Sequence, residues 1–154
     1  MNHFRADDSL GFQISKLSRK MAQLLASRFK PFDITVEQWS VLCRLREQDG
    51  ITQKELAARA VKDQPTITRI LDCLDRKEMV RREANAEDRR SFLIRITPKG
   101  AAMADKLIPI EMQTMQDLMD GVPGERIEAF RETLRVLENN ADRAYHNENK
   151  QELS

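Results

Sequence analysis

Apolar residues recur every three or four positions over most of the chain, which is the period of an amphipathic helix. Five of them share one face of a first helix that ends near Pro31: Leu10, Ile14, Leu17, Met21 and Leu24. A second helix is predicted after Thr35, because Thr35 and Gln38 have the spacing of a capping box. Asp49 and Gly50 end that helix. These patterns predict a mainly α-helical fold.

The middle of the chain predicts two short helices joined by a tight turn. Thr52 and Glu55 form a second capping box and open the first of them. The second begins near Asp63, and its apolar positions lie on one face: Ile67, Ile70, Leu71 and Leu74. Only a few residues around Val61 connect the two helices, which is the spacing of a helix-turn-helix.

After Met79 the pattern changes from a helical to an extended period. Residues 80–83 and 92–96 are rich in β-branched and apolar residues, and the polar segment 84–91 between them suits an exposed loop. Thr97 and Pro98 then provide a cap and a first-turn proline for another helix. The sequence therefore predicts a small β-hairpin wing directly after the helix-turn-helix.

The flanking helices carry more apolar surface than a small winged domain can cover. A second stripe near the C-terminus has the same spacing as the first: Ile127, Phe130, Leu134 and Leu137. The surplus favours an intertwined homodimer in which Leu10, Ile14 and Leu17 also take part, and a monomeric core is the alternative. We expect one domain over residues 1–154, with a winged helix-turn-helix lobe at 35–100 and dimerisation helices at 8–30 and 101–145.

Charge is distributed unevenly along the chain, although the net charge is only +1. Residues 59–100 hold 11 Lys and Arg against 7 Asp and Glu, whereas residues 101–154 hold 6 against 11. A basic middle beside an acidic end fits a phosphate-facing element on a non-binding scaffold. No apolar run approaches the roughly 20 residues that span a bilayer, and residues 1–10 lack the pattern of a secretory signal. We expect a cytoplasmic protein.

The residue types that carry catalysis or bind metals are sparse. Cys43 and Cys73 lie inside apolar helical patterns, and His3 and His146 lie near opposite ends with no cluster beside them. None of these spacings matches a zinc site or a nucleophile with its base. We therefore expect no metal, no cofactor and no enzymatic activity.

Three segments in this order resemble the MarR family of winged helix-turn-helix transcriptional regulators. They are TQKELAARA, DQPTITRILDCLDRKEMV and DRRSFLIRITPKG, of which the last covers Asp88 to Gly100. The resemblance implies a homodimeric regulator of a pseudo-palindromic operator in double-stranded DNA, by default a repressor, released by a small molecule. The chain has Glu78 where family members often have Gly. A left-handed Glu78 costs on the order of 1 kcal/mol relative to Gly.

Groove geometry assigns most of the DNA contacts. The N-terminal part of a recognition helix faces base edges, and there the sequence places Gln64, Thr66, Thr68 and Arg69. Lys62, Arg76 and the helix start at Thr52 or Gln53 suit phosphates. By resemblance, the wing places Arg90 in the minor groove and Arg89 at the backbone, with Asp88 orienting both. The full predicted interface is Thr52, Gln53, Lys62, Asp63, Gln64, Pro65, Thr66, Thr68, Arg69, Arg76, Asp88, Arg89 and Arg90.

Four alternatives stay open from the sequence. Arg69 and Arg76 are also explained as solvated ion-pair partners of Asp72 and Asp75. A pocket for a small aromatic or anionic effector is predicted from four side chains of a kind that more often forms plain core: Phe32, Trp39, Met112 and Met115. Release by oxidation of Cys43 or Cys73 is a second form of regulation. A winged-helix module that binds protein or RNA, without an operator, is the rival function.

Overall fold

The computed structural model describes residue 5 and residues 8–151, with side chains described as far as residue 149. It contains six α-helices and three strands within those residues. They are α1 (Leu10–Phe29), α2 (Val36–Glu47), β1 (Ile51–Thr52), α3 (Gln53–Ala60), α4 (Gln64–Arg76), β2 (Val80–Ala84), β3 (Phe92–Ile96), α5 (Pro98–Leu118) and α6 (Gly124–Gln151). The mainly helical winged helix-turn-helix fold is confirmed.

The chain divides into two compact units, one ending at Thr114 and one beginning at Met115. The first unit holds a single apolar core to which α1, α2, α3, α4, the sheet and α5 all contribute. Its largest fully buried side chains include Phe29, Leu42, Leu56, Leu71 and Leu107. The second unit consists of the end of α5 and the long helix α6, in which no described residue is buried.

The wing belongs to a three-stranded antiparallel sheet with the order β1-β3-β2. Val80 lies opposite Ile96 and Arg82 lies opposite Ile94, so the hairpin has the limits that the sequence predicted, apart from one extra residue at Ala84. The additional strand β1 was not predicted. It has two residues, with Ile51 opposite Ile94, and is therefore too short for any period to reveal it.

Capping side chains fix where the helices of the lobe begin. Both capping boxes are present: the Thr35 and Thr52 hydroxyls accept from the N–H groups of Gln38 and Glu55. The end of the recognition helix is also as expected, because Glu78 has a φ of 59°. That left-handed residue turns the chain from α4 into β2.

Gly100 allows the start of α5 to pack against the end of the α4–β2 connection. The Thr97 N–H donates to the Met79 carbonyl oxygen at 3.0 Å, and a Cβ on Gly100 would collide with that same oxygen. Backbone rather than a flexible side chain blocks the space, so relief requires a shift of the helix or the turn. Gly124, at the start of α6, has open space around its Cα.

We expect Gly100→Ala to destabilise the protein by about 1–3 kcal/mol, as overpacking in a dense interior does. Gly124→Ala is the matched control and should be neutral or slightly stabilising, because Ala is the better helix former. Urea unfolding followed by circular dichroism measures both. Equal stability of the two variants would contradict this account of Gly100.

Candidate nucleic-acid interface

The recognition helix α4 is oriented by a strong cap and a buried stripe. The Asp63 carboxylate accepts from the Thr66 N–H at 2.7 Å, and Pro65 occupies the first turn, where no N–H is needed. The backbone hydrogen bond from Thr66 is the main cause of a lowered pKa at Asp63. On the opposite side, the four predicted apolar residues are at most 2% exposed.

Burial of that stripe leaves one polar face outward. We call it the recognition face; it comprises Gln64, Thr66, Thr68, Arg69 and Arg76, all exposed except the half-buried Thr66. Lys62, in the turn before α4, is half-buried. The α4 side chains that the sequence assigned to bases and phosphates therefore share one side of that helix.

A hydrogen-bonded chain joins the recognition face to α3. The Gln53 Nε2 atom donates to the Thr68 hydroxyl at 2.7 Å, and that hydroxyl donates to the Gln64 carbonyl oxygen at 2.9 Å. Gln53 and Thr68 thus support each other across the helix-turn-helix. The Thr52 hydroxyl is likewise engaged, since it caps α3 and hydrogen-bonds the Glu55 carboxylate. Hydrogen bonds from Thr52 lower the Glu55 pKa.

The wing loop is ordered by Asp88 through the backbone. Its carboxylate accepts from the Arg90 N–H at 2.9 Å, and its carbonyl accepts from the Ser91 N–H at 3.0 Å. Asn85 adds a bond to the Ser91 hydroxyl at 3.0 Å. The Arg89 and Arg90 side chains are exposed at the tip. Asp88 therefore shapes the loop that carries both arginines rather than pairing with their guanidinium groups.

An ion-pair network fixes the base of the wing. Arg95 on β3 donates to the Glu83 carboxylate on β2 at 2.9 Å. That bond is the main reason why the pKa of Glu83 is lowered and the pKa of Arg95 is raised. The Asp49 carboxylate accepts from the Ile96 N–H at 2.8 Å and so ties the turn before β1 to the hairpin.

A cleft of about 400 Å³ separates the starts of α3 and α4 from the wing. Five residues of the predicted interface line it: Thr52, Gln53, Gln64, Asp88 and Arg90. The exposed ring of Phe92 lies there as well, although the sequence analysis did not single it out. The helix starts and the wing tip thus border one cleft.

The acidic residues of α4 do not neutralise its arginines. Asp72 and Asp75 pair with Arg82 of the wing instead, at 2.6 and 3.7 Å. Arg76 donates to the Cys73 sulfur at 3.1 Å, and Arg69 forms no ion pair within the described part of the chain. The interpretation of Arg69 and Arg76 as partners of Asp72 and Asp75 is therefore wrong.

Comparisons with known proteins agree with this geometry. Residues 34–92 match the model of the MarR family. Apo wild-type MarR from E. coli is 30% identical and covers 84% of this chain and 96% of its own, with a TM-score of 0.74. This chain belongs to the MarR family. MarR-family proteins are DNA-binding transcriptional regulators.

Two relatives were solved on DNA. A cysteine-to-serine mutant of E. coli MarR, complexed with operator DNA, is 29% identical and covers 89% of this chain and 99% of its own, with a TM-score of 0.82. The S. aureus MepR–DNA complex is 27% identical and covers 86% of this chain and 98% of its own, with a TM-score of 0.79. The fold of this MarR-family chain is thus that of proteins seen bound to duplex DNA.

The four side chains predicted to line an effector pocket lie in different surroundings. Trp39 packs edge-on against Phe29 at 5.3 Å and donates to the Ala104 carbonyl oxygen at 3.4 Å. It also lines a groove of about 530 Å³ with Cys43 and Asp105. Phe32 lies under the Lys106 ammonium at 5.0 Å. Met112 is 55% exposed, and Met115 belongs to the second unit.

The first unit has a groove between α1 and the start of α2. Its volume is about 820 Å³. Apolar side chains of Ala22, Ala26, Ile34 and Val36 contribute to its lining, together with charged and polar residues: Lys30, Asp33, Glu37, Gln38 and Lys77. The sequence could not place it, because a groove depends on which helix faces meet.

The two cysteines differ in what they contact. Burial, followed by the charge of Glu47, raises the pKa of the Cys43 thiol to about 11. The thiolate is the species that peroxide oxidises, so Cys43 is a poor sensor at neutral pH. Cys73 is half-buried on α4 beside the Arg76 guanidinium.

Among the described residues, no three His, Cys, Asp or Glu side chains converge as a metal site would require; His3 lies outside them. None of the helices described is both long and apolar enough to pass through a membrane.

We expect Asp63→Ala to lower the thermal unfolding midpoint by about 2–4 °C, since the N-cap of α4 is lost. Asp63→Asn keeps the acceptor and should lower it less. Because the folded-state pKa of Asp63 is lowered, its ionised cap contributes above the ordinary carboxyl pKa and is lost as pH falls through the folded value. Unfolding curves in acid should therefore bring wild type and Asp63→Ala together; a constant gap would contradict this.

Proposed function

We propose that this chain is a homodimeric, sequence-specific regulator that binds a pseudo-palindromic operator through α4 and the wing. One observation supports this above the others. A helix with a fully buried apolar side presents amide, hydroxyl and guanidinium groups outward, next to a loop that carries two exposed arginines. A helix of that width fits the major groove, and an arginine-tipped loop suits the adjacent minor groove.

The roles follow from the chemistry of each group. Gln64 and Arg69 have the donors and acceptors to read adenine and guanine edges, and Thr66 and Thr68 lie beside them. Lys62, Arg76, Arg89 and the capped start of α3 suit phosphates. Arg90 enters the minor groove. Asp63 and Pro65 set the start of α4 and so the depth at which the recognition face meets the bases.

Exposed apolar side chains support the homodimer. Leu10, Ile14 and Leu17 on α1 are 56%, 37% and 46% exposed. On α6 Phe130 and Leu137 are 49% and 37% exposed. Contiguous apolar helix faces of this kind are a mark of interfaces. Two-fold symmetry would place the two recognition helices about 34 Å apart, one turn of duplex.

Repression is the default action, because a dimer on an operator excludes polymerase from the same DNA. We also propose release by a small aromatic or anionic effector. The groove between α1 and α2 is the best support for such a molecule, since it combines an apolar floor with a polar rim. Lys30 is the cation there for an anionic group, because Lys77 already pairs with Asp33 at 3.2 Å. Regulation by Cys43 is disfavoured by its protonated thiol, and no catalytic role is proposed.

Arg90→Ala should weaken binding to a selected operator duplex about 10-fold at 150 mM salt and lower the salt slope by about 1. The reason is the loss of one guanidinium from the minor groove. Arg44→Ala is the control; it removes the same charge from α2, where Arg44 pairs with Glu47 at 3.0 Å. Fluorescence anisotropy against salt measures both. Unchanged affinity in Arg90→Ala would exclude the wing from the interface.

Leu17→Glu should convert the dimer to monomers and abolish tight operator binding, because a charge replaces an apolar contact at the interface. Ser18→Glu adds the same charge one residue along, off the apolar stripe, and should leave the dimer intact. Light scattering after size exclusion measures the mass of each. A dimeric Leu17→Glu protein would remove α1 from the interface.

The rival function, an interaction module for protein or RNA, makes different predictions in the same assay. An operator reader shows steep salt dependence together with a preference for one duplex over others. Binding that is equally tight to single-stranded RNA and to every duplex, or absent for all duplexes, would favour the rival.

A further inference from the structure

Arg82 connects the two elements that are proposed to contact DNA. It lies in the middle of β2, opposite Ile94, and its guanidinium reaches α4. One Nη atom lies 2.6 Å from a carboxylate oxygen of Asp72, and the other lies 3.7 Å from a carboxylate oxygen of Asp75. The Arg82 side chain is 29% exposed, less than either carboxylate. It also lines the cleft beneath the wing.

The two carboxylates occupy positions that are unfavourable for DNA binding if they are unpaired. Asp72 follows Thr68 by four residues and Arg69 by three, and it precedes Arg76 by four, so it lies among them on the helix surface. Its side chain is 51% exposed and that of Asp75 is 50% exposed. Bare negative charges there would oppose phosphates within about one Debye length, ~8 Å at physiological salt.

A gain in fold stability does not explain why Arg82 pairs with both carboxylates. Exposed ion pairs contribute at most about 1 kcal/mol, and the apolar stripe already fixes α4. A guanidinium has donors on both sides of a planar fork, so one Arg can hold two carboxylates that lie three residues apart on a helix. The pairing of Arg82 with Asp72 and Asp75 therefore matters for the position of the wing and for the charge on the surface of α4.

We infer that Arg82 is a positioning residue for DNA binding, which holds the wing against α4 and shields Asp72 and Asp75 from the phosphates. The inference rests on the proposed function. Arg82 does not touch DNA here. It acts through Arg90, whose height above the duplex depends on the hairpin, and through Asp72 and Asp75, whose negative charge beside the recognition face it partly offsets.

The experiment compares Arg82→Gln with Arg81→Gln by anisotropy, on a selected operator duplex and on a random 30-base-pair duplex. Arg81 is the matched control, because it also lies on β2 and forms an ion pair, but with Glu83 of the same strand at 2.8 Å. Arg82→Gln should bind the operator about 10-fold more weakly, a coupling of ordinary size for contacting residues. Arg81→Gln should change the affinity less than about 3-fold, as a charge outside the contacts does.

Two additional variants separate shielding from positioning. Replacing both Asp72 and Asp75 by Asn in the Arg82→Gln protein removes the bare charges, so affinity for the random duplex should return to within about 3-fold of wild type. The wing stays loose in that protein. In that protein Arg90→Ala should therefore change the affinity for the operator little, whereas it lowers this affinity about 10-fold in the wild-type background.

Several outcomes would overturn the inference. Failure of the two Asn substitutions to restore random-duplex binding would mean that Arg82 contacts phosphate itself. Equal losses in Arg81→Gln and Arg82→Gln, or an equal cost of Arg90→Ala in both backgrounds, would remove the positioning role.

If circular dichroism shows that Arg82→Gln does not fold, the double variant Asp72→Asn and Asp75→Asn, with Arg82 intact, tests the inference instead. It should keep its affinity for the random duplex, and Arg90→Ala in that background should no longer lower its affinity for the operator. An unchanged dependence on Arg90 overturns the inference. If the wild-type protein binds neither duplex, that result overturns the proposed function itself and not only the inference about Arg82.

Discussion

Burial of one side of α4 is the constraint on which the rest of the interface depends. Ile67, Ile70, Leu71 and Leu74 are all at most 2% exposed, and rotating the helix by a fraction of a turn would bring apolar groups into water at a cost of about 25 cal/mol per Å². The outward direction of the recognition face follows from that packing. Packing of the core therefore determines which side chains of α4 face outward and can recognise DNA.

Ion pairs and hydrogen bonds within the lobe then determine which charged side chains remain available to contact DNA. The carboxylates of the lobe are engaged internally: Asp63 and Glu55 cap helices, Glu83 holds Arg95, and Asp72 holds Arg82. The guanidinium groups at the wing tip are not used in this way. A chain with a net charge of only +1 can thus present a surface that attracts phosphates, because Asp72, Asp75 and Glu83 near the interface are paired with arginines.

The sequence predicted those parts of the fold that depend on short-range pattern. The cap at Asp63, both capping boxes, the buried stripe of α4 and the hairpin were all readable from local spacing. The strand β1 was missed because two residues have no period, and the groove between α1 and α2 was not predicted because helix patterns give apolar faces but not their partners. The Arg82 bridge joins a strand to a helix ten residues earlier, which no local pattern encodes.

The central claim is that two copies of α4 and the wing read one duplex. Selection of bound sequences from a pool of random duplexes tests it most directly, since neither the operator nor the stoichiometry is assumed. The account predicts enrichment of one pseudo-palindrome whose half-sites lie about 10 base pairs apart, centre to centre. A pool with no enriched sequence, or with a single unrepeated half-site, would contradict it.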